Sequence, residues 1–271
     1  MKKLFAMTCA LMLMLSLAAC GNTASNTTPS STAAQTTDSD LAYVKDKGEM
    51  VIGYTVYEPM NYTDDSGKLV GFDTEFAEAV CEKLGVTPKF VEIDWDNKFL
   101  ELDSKSIDCI WNGMTITDEV TKNTSVTKPY VKNAQVVVMK ADKVAEYTTP
   151  ESMKDLKFAA EAGSAGESAI EENGLDANYT AVAAQTDAML EVMSGSVDAC
   201  VIDNTMATAM TGEGTSYASL AAGIELTSEE YGIGFRKGSD LTEEVNKIMD
   251  ELKQDGTLQK LADTYQLTLA E

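Results

Sequence analysis

Apolar and polar positions in the middle of the chain follow two periods, and each period predicts one kind of element. The apolar runs MVIGY at 50–54 and KFVEI at 89–93 predict strands. Between them, the segment at 71–85 predicts a helix with Asp73 as its N-cap and Gly85 as its end. The apolar residues of this helix recur at every fourth position: Phe72, Phe76, Val80 and Leu84. The order strand, helix, strand is typical of an α/β fold.

The same order continues towards the carboxyl terminus. Segments 156–174 and 179–195 each predict a strand followed by a helix. The last segment, 241–267, predicts two helices separated at Asp255 and Gly256. The pattern therefore predicts an α/β protein in which parallel strands alternate with helices.

Two segments of the chain match each other at a constant offset of ninety residues. FLELDSKSIDCIWNG at 99–113 and MLEVMSGSVDACVID at 189–203 each predict a helix, a polar turn and an apolar strand. This repeat indicates two α/β lobes of similar design. The matching positions are Leu100 and Leu190, Glu101 and Glu191, Ser104 and Ser194, Ser106 and Ser196, and Asp108 and Asp198.

Polar residues follow several of the predicted strands. Open parallel sheets bind ligands beyond the carboxyl ends of their strands. Two such sheets facing each other would bring Asn112, Gly113, Ser164 and Asp203 around one cleft. The sequence thus predicts a site for a small polar molecule between the lobes.

The amino-terminal region predicts an export signal. Lys2 and Lys3 precede the apolar run 4–17, which is too short to span a bilayer but suits a secretory signal. The run ends in LAAC at 17–20, which resembles a bacterial lipoprotein signal, so 1–19 would be removed and Cys20 would carry the lipid. An ordinary signal peptide is the alternative.

The segment that follows Cys20 has no apolar periodicity. Its residues 21–40 are mainly Thr, Ser, Asn and Ala, a composition that cannot form a core. As a flexible coil these residues would span about 25 Å. We therefore expect 20–40 to be a lipidated tether that holds an extracytoplasmic protein beside the cell membrane.

Charge and side-chain inventory exclude several function classes. The net charge of −23, with 44 acidic residues, would repel nucleic acid. The chain contains no His, which disfavours Ser-His-Asp and Cys-His catalysis and His-ligated zinc. We therefore expect neither catalytic residues nor a metal nor any other cofactor. Cys81, Cys109 and Cys200 lie in apolar runs and are predicted to be buried free thiols.

Five segments together resemble the polar amino-acid solute-binding proteins of ABC importers, extracellular solute-binding protein family 3. The resemblance runs from about Tyr43 to Leu267. Its segments are IGYTVYEPMNY at 52–62, the helix at 71–85, GMTITDE at 113–119 with KPY at 128–130, YGIGFRKGSDL at 231–241 and DGTLQKLADTY at 255–265.

This resemblance implies a bilobal periplasmic-binding-protein-like fold of type II, with two parallel-rich sheets flanked by helices and a ligand cleft between the lobes. Lobe 1 would comprise 41–132 and 227–271, and lobe 2 would comprise 133–226. The chain would cross between lobes near 131–136 and 222–230. The resemblance implies a monomer that is not an enzyme, captures a polar amino acid or related amine-bearing molecule and delivers it to an ABC importer permease.

The resemblance also implies which residues bind the ligand. Tyr57 and Trp95 would cover it, and Asp203 would pair with its ammonium group. At the predicted helix start, Ser164 and the N–H of Ala165 would meet its carboxylate. The remaining candidates are Asn112, Gly113 and Thr115 in lobe 1 and Glu161 in lobe 2.

One position departs from the family pattern. Val120 occupies the place where relatives carry an Arg that grips the ligand's carboxylate, and Val cannot form that pair. Glu58, Glu161 and Asp203 make the predicted cleft acidic. We therefore expect an amine-rich or carboxylate-modified ligand rather than an anionic amino acid.

Several assignments leave alternatives open. Trp111 is predicted to be core, whereas Trp95 could be a surface aromatic and Asp203 could simply cap the helix that follows it. The whole protein could instead be the ligand-sensing subunit of a membrane receptor. It could also be a dehydratase, since an enzyme of that kind has a similar fold and a cleft carboxylic acid could act as a general acid.

Overall fold

A computed structural model describes residues 39–271. The predicted signal 1–19, Cys20 and all of the tether except its last two residues lie outside the described residues. None of the helices in the described range has the length and apolar character needed to cross a membrane.

The described chain alternates strands and helices. The strands are β1 Glu49–Tyr54, β2 Tyr62–Thr63, β3 Leu69–Val70, β4 Thr87–Glu92, β5 Cys109–Thr115, β6 Thr124–Val126, β7 Val131–Asn133, β8 Gln135–Lys140, β9 Phe158–Glu161, β10 Tyr179–Val182, β11 Ala199–Asp203, β12 Leu220–Glu225 and β13 Glu229–Arg236. The helices are α1 Asp40–Lys47, α2 Phe72–Leu84, α3 Lys98–Asp103, α4 Asp118–Asn123, α5 Ala165–Glu172, α6 Gln185–Ser194, α7 Asn204–Met210, α8 Leu241–Gln254 and α9 Thr257–Tyr265. A short 3₁₀ turn, Trp95–Asn97, precedes α3.

These elements build two sheets, and we define the lobes by them. Lobe 1 contains the six-stranded sheet in the order β4-β1-β5-β13-β6, with β7 also paired to β13. Lobe 2 contains the five-stranded sheet in the order β10-β9-β11-β8-β12. The central pairs β1 with β5 and β9 with β11 are parallel, whereas β8, β12 and β13 run antiparallel to their neighbours. The bilobal α/β fold expected from the sequence is therefore confirmed.

The chain passes between the sheets twice. It leaves the first sheet at Asn133 and enters the second at Gln135, and it returns between Glu225 and Glu229. Both passages lie beside the carboxyl ends of β5 and β11, because β13 pairs with the end of β5 and Gln135 pairs with Asp203 at the end of β11. Residues of the two connections can therefore contribute to a site between the lobes.

The ninety-residue repeat is confirmed as a repeated helix, turn and strand, formed by α3 with β5 and by α6 with β11. The turns have the same side-chain hydrogen bond. Its hydroxyl oxygens are 2.9 Å apart between Ser104 and Ser106 and 2.8 Å apart between Ser194 and Ser196. The sequence match thus extends to the local geometry of the turn.

The predicted N-cap role of Asp73 is wrong. Helix α2 begins after Gly71, and no side chain among the residues that the structure describes caps it. Asp73 is instead fully buried, where its Oδ2 accepts the N–H of Gly113 at 2.6 Å and the hydroxyl of Tyr130 at 2.9 Å. The carboxylate therefore connects α2 to strand β5 rather than satisfying the helix start.

The other core assignments are confirmed. Trp111 is buried against Phe76, with an edge-to-face ring distance of 5.1 Å. Cys81, Cys109 and Cys200 are buried free thiols. The break predicted at Asp255 and Gly256 separates α8 from α9.

Candidate functional site

The lobes contact each other through side chains beyond the carboxyl ends of their central strands. Tyr57, which follows β1, shares a hydrogen bond with Thr205 of α7. Tyr231 of β13 donates to Asp203 Oδ1 at 2.7 Å. Lys98 of α3 donates to the carbonyl of Gly163 at 2.8 Å. These three contacts cross the cleft in which the sequence places the site.

Asp203 lies at the end of β11 within a shell of amide donors. Its Oδ1 accepts from Asn133, from Gln135 at 2.9 Å and from Tyr231, and its Oδ2 accepts from Gln185 at 2.6 Å. Although Asp203 precedes α7, its side chain makes no capping hydrogen bond. The structure therefore directs this carboxylate towards the cleft side of the strand end and not along the helix.

A second carboxylate shares the same amides. Glu229 Oε1 accepts from Thr115 at 2.8 Å, from Asn133 at 2.7 Å and from Gln135 at 2.8 Å. We call Asn133, Gln135, Gln185, Asp203 and Glu229 the amide–carboxylate cluster. Two of its members, Asn133 and Gln135, come from the first connection between the lobes.

The surroundings of Asp203 shift the pKa of its carboxyl group. Burial, together with the nearby negative charge of Glu229, raises the pKa of Asp203 to about 7. Hydrogen bonds from Tyr231, Gln185 and Gln135 act in the opposite direction. A cation placed beside these two carboxylates would favour the charged form of Asp203.

A cavity of about 280 Å³ lies between the lobes. This size is near the lower end of ligand pockets and suits a small polar molecule. We call it the interlobe cavity. Lobe 1 lines it with Trp95, Lys98, Met114, Thr115, Thr117, Glu119 and Val120, and lobe 2 lines it with Gly163, Ser164, Glu167, Ser168 and Glu171.

The interlobe cavity contains a buried cation that sequence reasoning missed. Lys98 is 4% exposed, and its ammonium lies 5.1 Å from the centre of the Trp95 ring. It donates to the carbonyls of Trp95 at 3.3 Å and Gly163 at 2.8 Å. An ammonium has three donors, and the bonds within residues 39–271 use two of them, which leaves one for a ligand. Burial lowers the pKa of Lys98, and carboxylates led by Glu119 oppose that change.

Val120 forms an apolar part of the cavity wall. It is 4% exposed and belongs to a buried cluster that includes Trp95 and Met114. Its backbone N–H donates to the N-cap Thr117 at 3.1 Å. Val120 carries no charge, but Lys98 supplies a positive charge in the same cavity.

Asn112 and Gly113 use their polar groups within lobe 1. The Asn112 amide accepts from the Thr55 hydroxyl at 2.7 Å and donates to Asn61 Oδ1 and to the Thr55 carbonyl, both at 2.8 Å. The Gly113 N–H donates to Asp73. These bonds fix the end of β5, and of the three candidates on this strand only Thr115 lines the interlobe cavity.

The first turn of α5 faces the interlobe cavity. Ser164 is the N-cap, and its hydroxyl accepts the N–H of Glu167 at 3.2 Å. The N–H of Ala165, at the first helical position, has no partner within the helix. Glu167 is nearby and accepts the N–H of Gly163 at 2.6 Å. Ala165 and Ser164 therefore offer a polar helix start opposite Lys98.

Glu161 lies at the end of β9, one strand away from Asp203. It is 3% exposed, and among residues 39–271 its Oε1 has no hydrogen-bond partner. Burial, together with the negative charge of Asp203, raises the pKa of Glu161 to about 8.

A larger cavity of about 350 Å³ also contacts both lobes. Its lining includes Glu58, Tyr62, Thr205 and Tyr265 but none of the nine predicted ligand-binding residues. Trp95, Thr115 and Ser164, by contrast, line the interlobe cavity. The interlobe cavity is therefore the better candidate site.

Most residues missed by sequence reasoning are those whose partners are distant in the chain. Glu229 and Tyr231 meet Thr115 and Asp203 from a strand more than a hundred residues beyond β5. Lys98 had a local signal, since it lies three positions after Trp95 in the polar segment WDNK. Asn133 and Gln135 had none beyond their place in a predicted connection.

Comparison with known proteins identifies the group to which this architecture corresponds. The sequence profile of the bacterial extracellular solute-binding proteins, family 3, matches residues 50–268. The L-cystine-binding protein TcyA of Bacillus subtilis (strain 168) is 32% identical over 265 residues, which cover 92% of this chain and 91% of TcyA.

Solved structures show the same similarity. An ancestral arginine-binding protein bound to arginine is 33% identical, with a TM-score of 0.74, covering 80% of this chain and 98% of that one. The ancestral amino acid-binding protein AncCDT-1, a precursor of cyclohexadienyl dehydratase, is 30% identical with a TM-score of 0.77. That match covers 84% of this chain and 99% of AncCDT-1.

Proposed function

We propose a ligand-capturing role for this chain, which belongs to the bacterial extracellular solute-binding proteins of family 3. In this proposal it binds a polar amino acid or a related amine-bearing molecule and delivers it, as a monomer, to an ABC importer permease. The observation that carries the proposal is the interlobe cavity, which both lobes line and which contains the buried cation of Lys98. The carboxylates at the strand ends of lobe 2 supply negative charge that complements the positive charge of Lys98.

The charge arrangement supports a zwitterionic ligand. Lys98 has a free donor and lies across the cavity from Ser164 and Ala165, so these groups would hold a carboxylate. Asp203 would hold the ammonium, which would replace part of its amide shell. Trp95, on the lobe 1 wall, would cover the apolar part of the ligand. Asn112 and Gly113 would support this site through the end of β5.

We expect thermal-shift screening of amino acids and amines to find a ligand that raises the melting temperature, because a ligand that binds only the native state stabilises it. Lys98→Met should weaken binding of that ligand by about tenfold to a hundredfold, since a charge-assisted hydrogen bond contributes about 1.5–3 kcal/mol. Titration calorimetry measures both effects. The exposed Lys154→Met serves as the control. Equal affinities of Lys98→Met and Lys154→Met would contradict the role of Lys98.

We also propose that Cys20 is lipidated after removal of 1–19 and that 20–40 tethers the protein to the extracytoplasmic face of the cell membrane. The motif LAAC at 17–20 supports this proposal. Mass spectrometry of membrane-bound protein should find acyl groups on Cys20, and Cys20→Ala should be released from the membrane. Recovery of Cys20→Ala in the membrane at the wild-type level would contradict lipidation.

A second candidate function is dehydration of a small cyclic acid. The buried Glu161, with a pKa of about 8, could act as a general acid, and AncCDT-1 is named as the precursor of a dehydratase. AncCDT-1 is itself named an amino acid-binding protein, which agrees with the capture role. Turnover of a cyclic dienyl acid by the purified protein would distinguish the enzyme from the binding protein.

A permease and an ATPase encoded beside this chain would favour transport over receptor sensing.

A further inference from the structure

Glu161 differs from every other carboxylate at the strand ends of the cleft. Asp203 accepts four hydrogen bonds and Glu229 also accepts four, counting the 3.1 Å bond from Thr227. Glu161 Oε1 accepts none from the part of the chain that the structure describes. An unpaired carboxylate that is only 3% exposed is costly, because burial removes its hydration without replacing it.

The charged groups that act on Glu161 come from both sides of the cleft. Lys98 and Asp94 lie in lobe 1, and Asp203 and Asp187 lie in lobe 2. Glu161 is the last residue of β9 and lies two residues before Gly163, which lines the interlobe cavity. Three of these four neighbours are acidic, so the protein itself surrounds Glu161 with more negative than positive charge.

Lys98 does not neutralise Glu161 by direct pairing. Its ammonium donates to the carbonyls of Trp95 and Gly163, and no salt bridge joins it to Glu161 within the described residues. The Lys98 ammonium is therefore fixed beside the first turn of α5. The carboxylate at the end of β9 still needs a cation.

We propose that Glu161 binds a second positively charged nitrogen group of the ligand, in addition to the ammonium held by Asp203. This inference rests on the proposed function, because it assumes that the interlobe cleft binds an amino acid. It names the ligand class as amino acids that carry two cationic nitrogen groups. L-Arginine, L-lysine and L-cystine have this charge pattern.

The proposal has a consequence for pH. Burial raises the pKa of Glu161 to about 8, so the residue is largely neutral at pH 6.5 and becomes charged towards pH 8.5. The guanidinium of L-arginine stays charged over this range. Affinity for L-arginine should therefore rise with pH, with Asp203 contributing near its pKa of about 7 and Glu161 contributing above it. Lys98, Asp94 and Asp187 are the other charged groups that act on Glu161.

The test compares dicationic probes with neutral analogues on the full folded protein. Titration calorimetry would measure L-arginine against L-citrulline, L-lysine against L-norleucine and L-cystine against S-methyl-L-cysteine. We expect the wild type to prefer at least one dicationic probe over its analogue by tenfold or more. Glu161→Gln should remove that preference by weakening the dicationic probe, while affinity for the analogue changes by less than about threefold.

Two controls separate charge recognition from damage to the fold. Glu161→Gln keeps the side-chain volume and, at pH 8.5, removes an unpaired buried charge, so its ligand-free melting temperature at that pH should equal or exceed that of the wild type. Glu172→Gln, an exposed change on α5, should keep the wild-type preference. In Glu161→Gln, the rise in L-arginine affinity between pH 7.5 and 8.5 should also be lost.

Each contrary result has a distinct meaning. If the wild type binds the neutral analogues as tightly as the dicationic probes, or if Glu161→Gln keeps the preference, this inference is overturned and amino-acid capture stands. If no amino acid binds the wild type at all, the proposed function is overturned, and this inference fails with it.

Discussion

Asp203→Ala should weaken binding of the best ligand in the screen by about tenfold to a hundredfold. The carboxylate is the acceptor on which Asn133, Gln135, Gln185 and Tyr231 converge, and it is the proposed partner of the ligand's ammonium. A hydrogen bond to a charged group contributes about 1.5–3 kcal/mol, and an ammonium buried without its partner costs more. Titration calorimetry with the wild type and the variant measures the loss.

The control for this experiment is Asp176→Ala, because Asp176 is exposed and lies away from the cleft. Its affinity should equal that of the wild type, and circular dichroism should show that both variants fold. Esterified and deaminated analogues of the ligand test which of its two charged groups Asp203 binds. If the deaminated analogue binds as well as its parent while the ester does not, the charge assignment of Asp203 is reversed.

Gly163→Ala should prevent full closure of the lobes and lower ligand affinity by at least about tenfold. Gly163 has a φ of +68°, and an added Cβ would lie 2.9 Å from Asp96 Oδ1 and 3.1 Å from Asp96 Cα. Asp96 belongs to the short turn of lobe 1 and Gly163 to lobe 2, so we expect the clash to arise only if the lobes close on the ligand by a hinge motion. The same approach brings the Gly163 carbonyl to Lys98. Because a ligand selects the closed form by its contacts there, a destabilised closed form binds it less tightly.

Gly174→Ala provides a matched control for backbone strain. Gly174 has a φ of +64°, close to that of Gly163, but no atom lies within 4 Å of an added Cβ. Both variants should lose about 1 kcal/mol of stability from the left-handed conformation. Only Gly163→Ala should lose ligand affinity. In a small-angle scattering titration, it should also require more ligand than Gly174→Ala to reach a compact form. Equal affinities of the two variants would show that closure does not depend on this contact.

Local patterns in the sequence predicted most of the fold. The strands MVIGY and KFVEI, helix α2 and the two final helices follow from periodicities that need only neighbouring residues. The repeat also predicted that the two lobes share a helix, turn and strand, because identical turn chemistry produces identical local geometry. The end of the first helical prediction, Gly85, is the left-handed C-cap of α2.

The candidate site was predicted less completely, because hydrogen-bond partners depend on distant parts of the chain. Asn112 and Gly113 are residue types that often bind ligands. In the structure, however, the Asn112 side-chain amide donates to Asn61 and the Gly113 N–H donates to Asp73. The helix pattern predicts a capping role for Asp73 from its position alone. Its burial against β5 and its contact with Tyr130 could not follow from the helix pattern.

The sequence by itself determined which elements form, which faces are apolar and which family the chain resembles, since periodicity and short motifs are local properties. The tertiary structure decided which polar groups remain available to a ligand. Packing of the lobes satisfied Asp203 and Glu229 and brought Lys98 into the cavity beside Val120, and it left Glu161 Oε1 without a donor from the described part of the chain. Burial then set the charge states, because desolvation and neighbouring charges act through space and not along the chain.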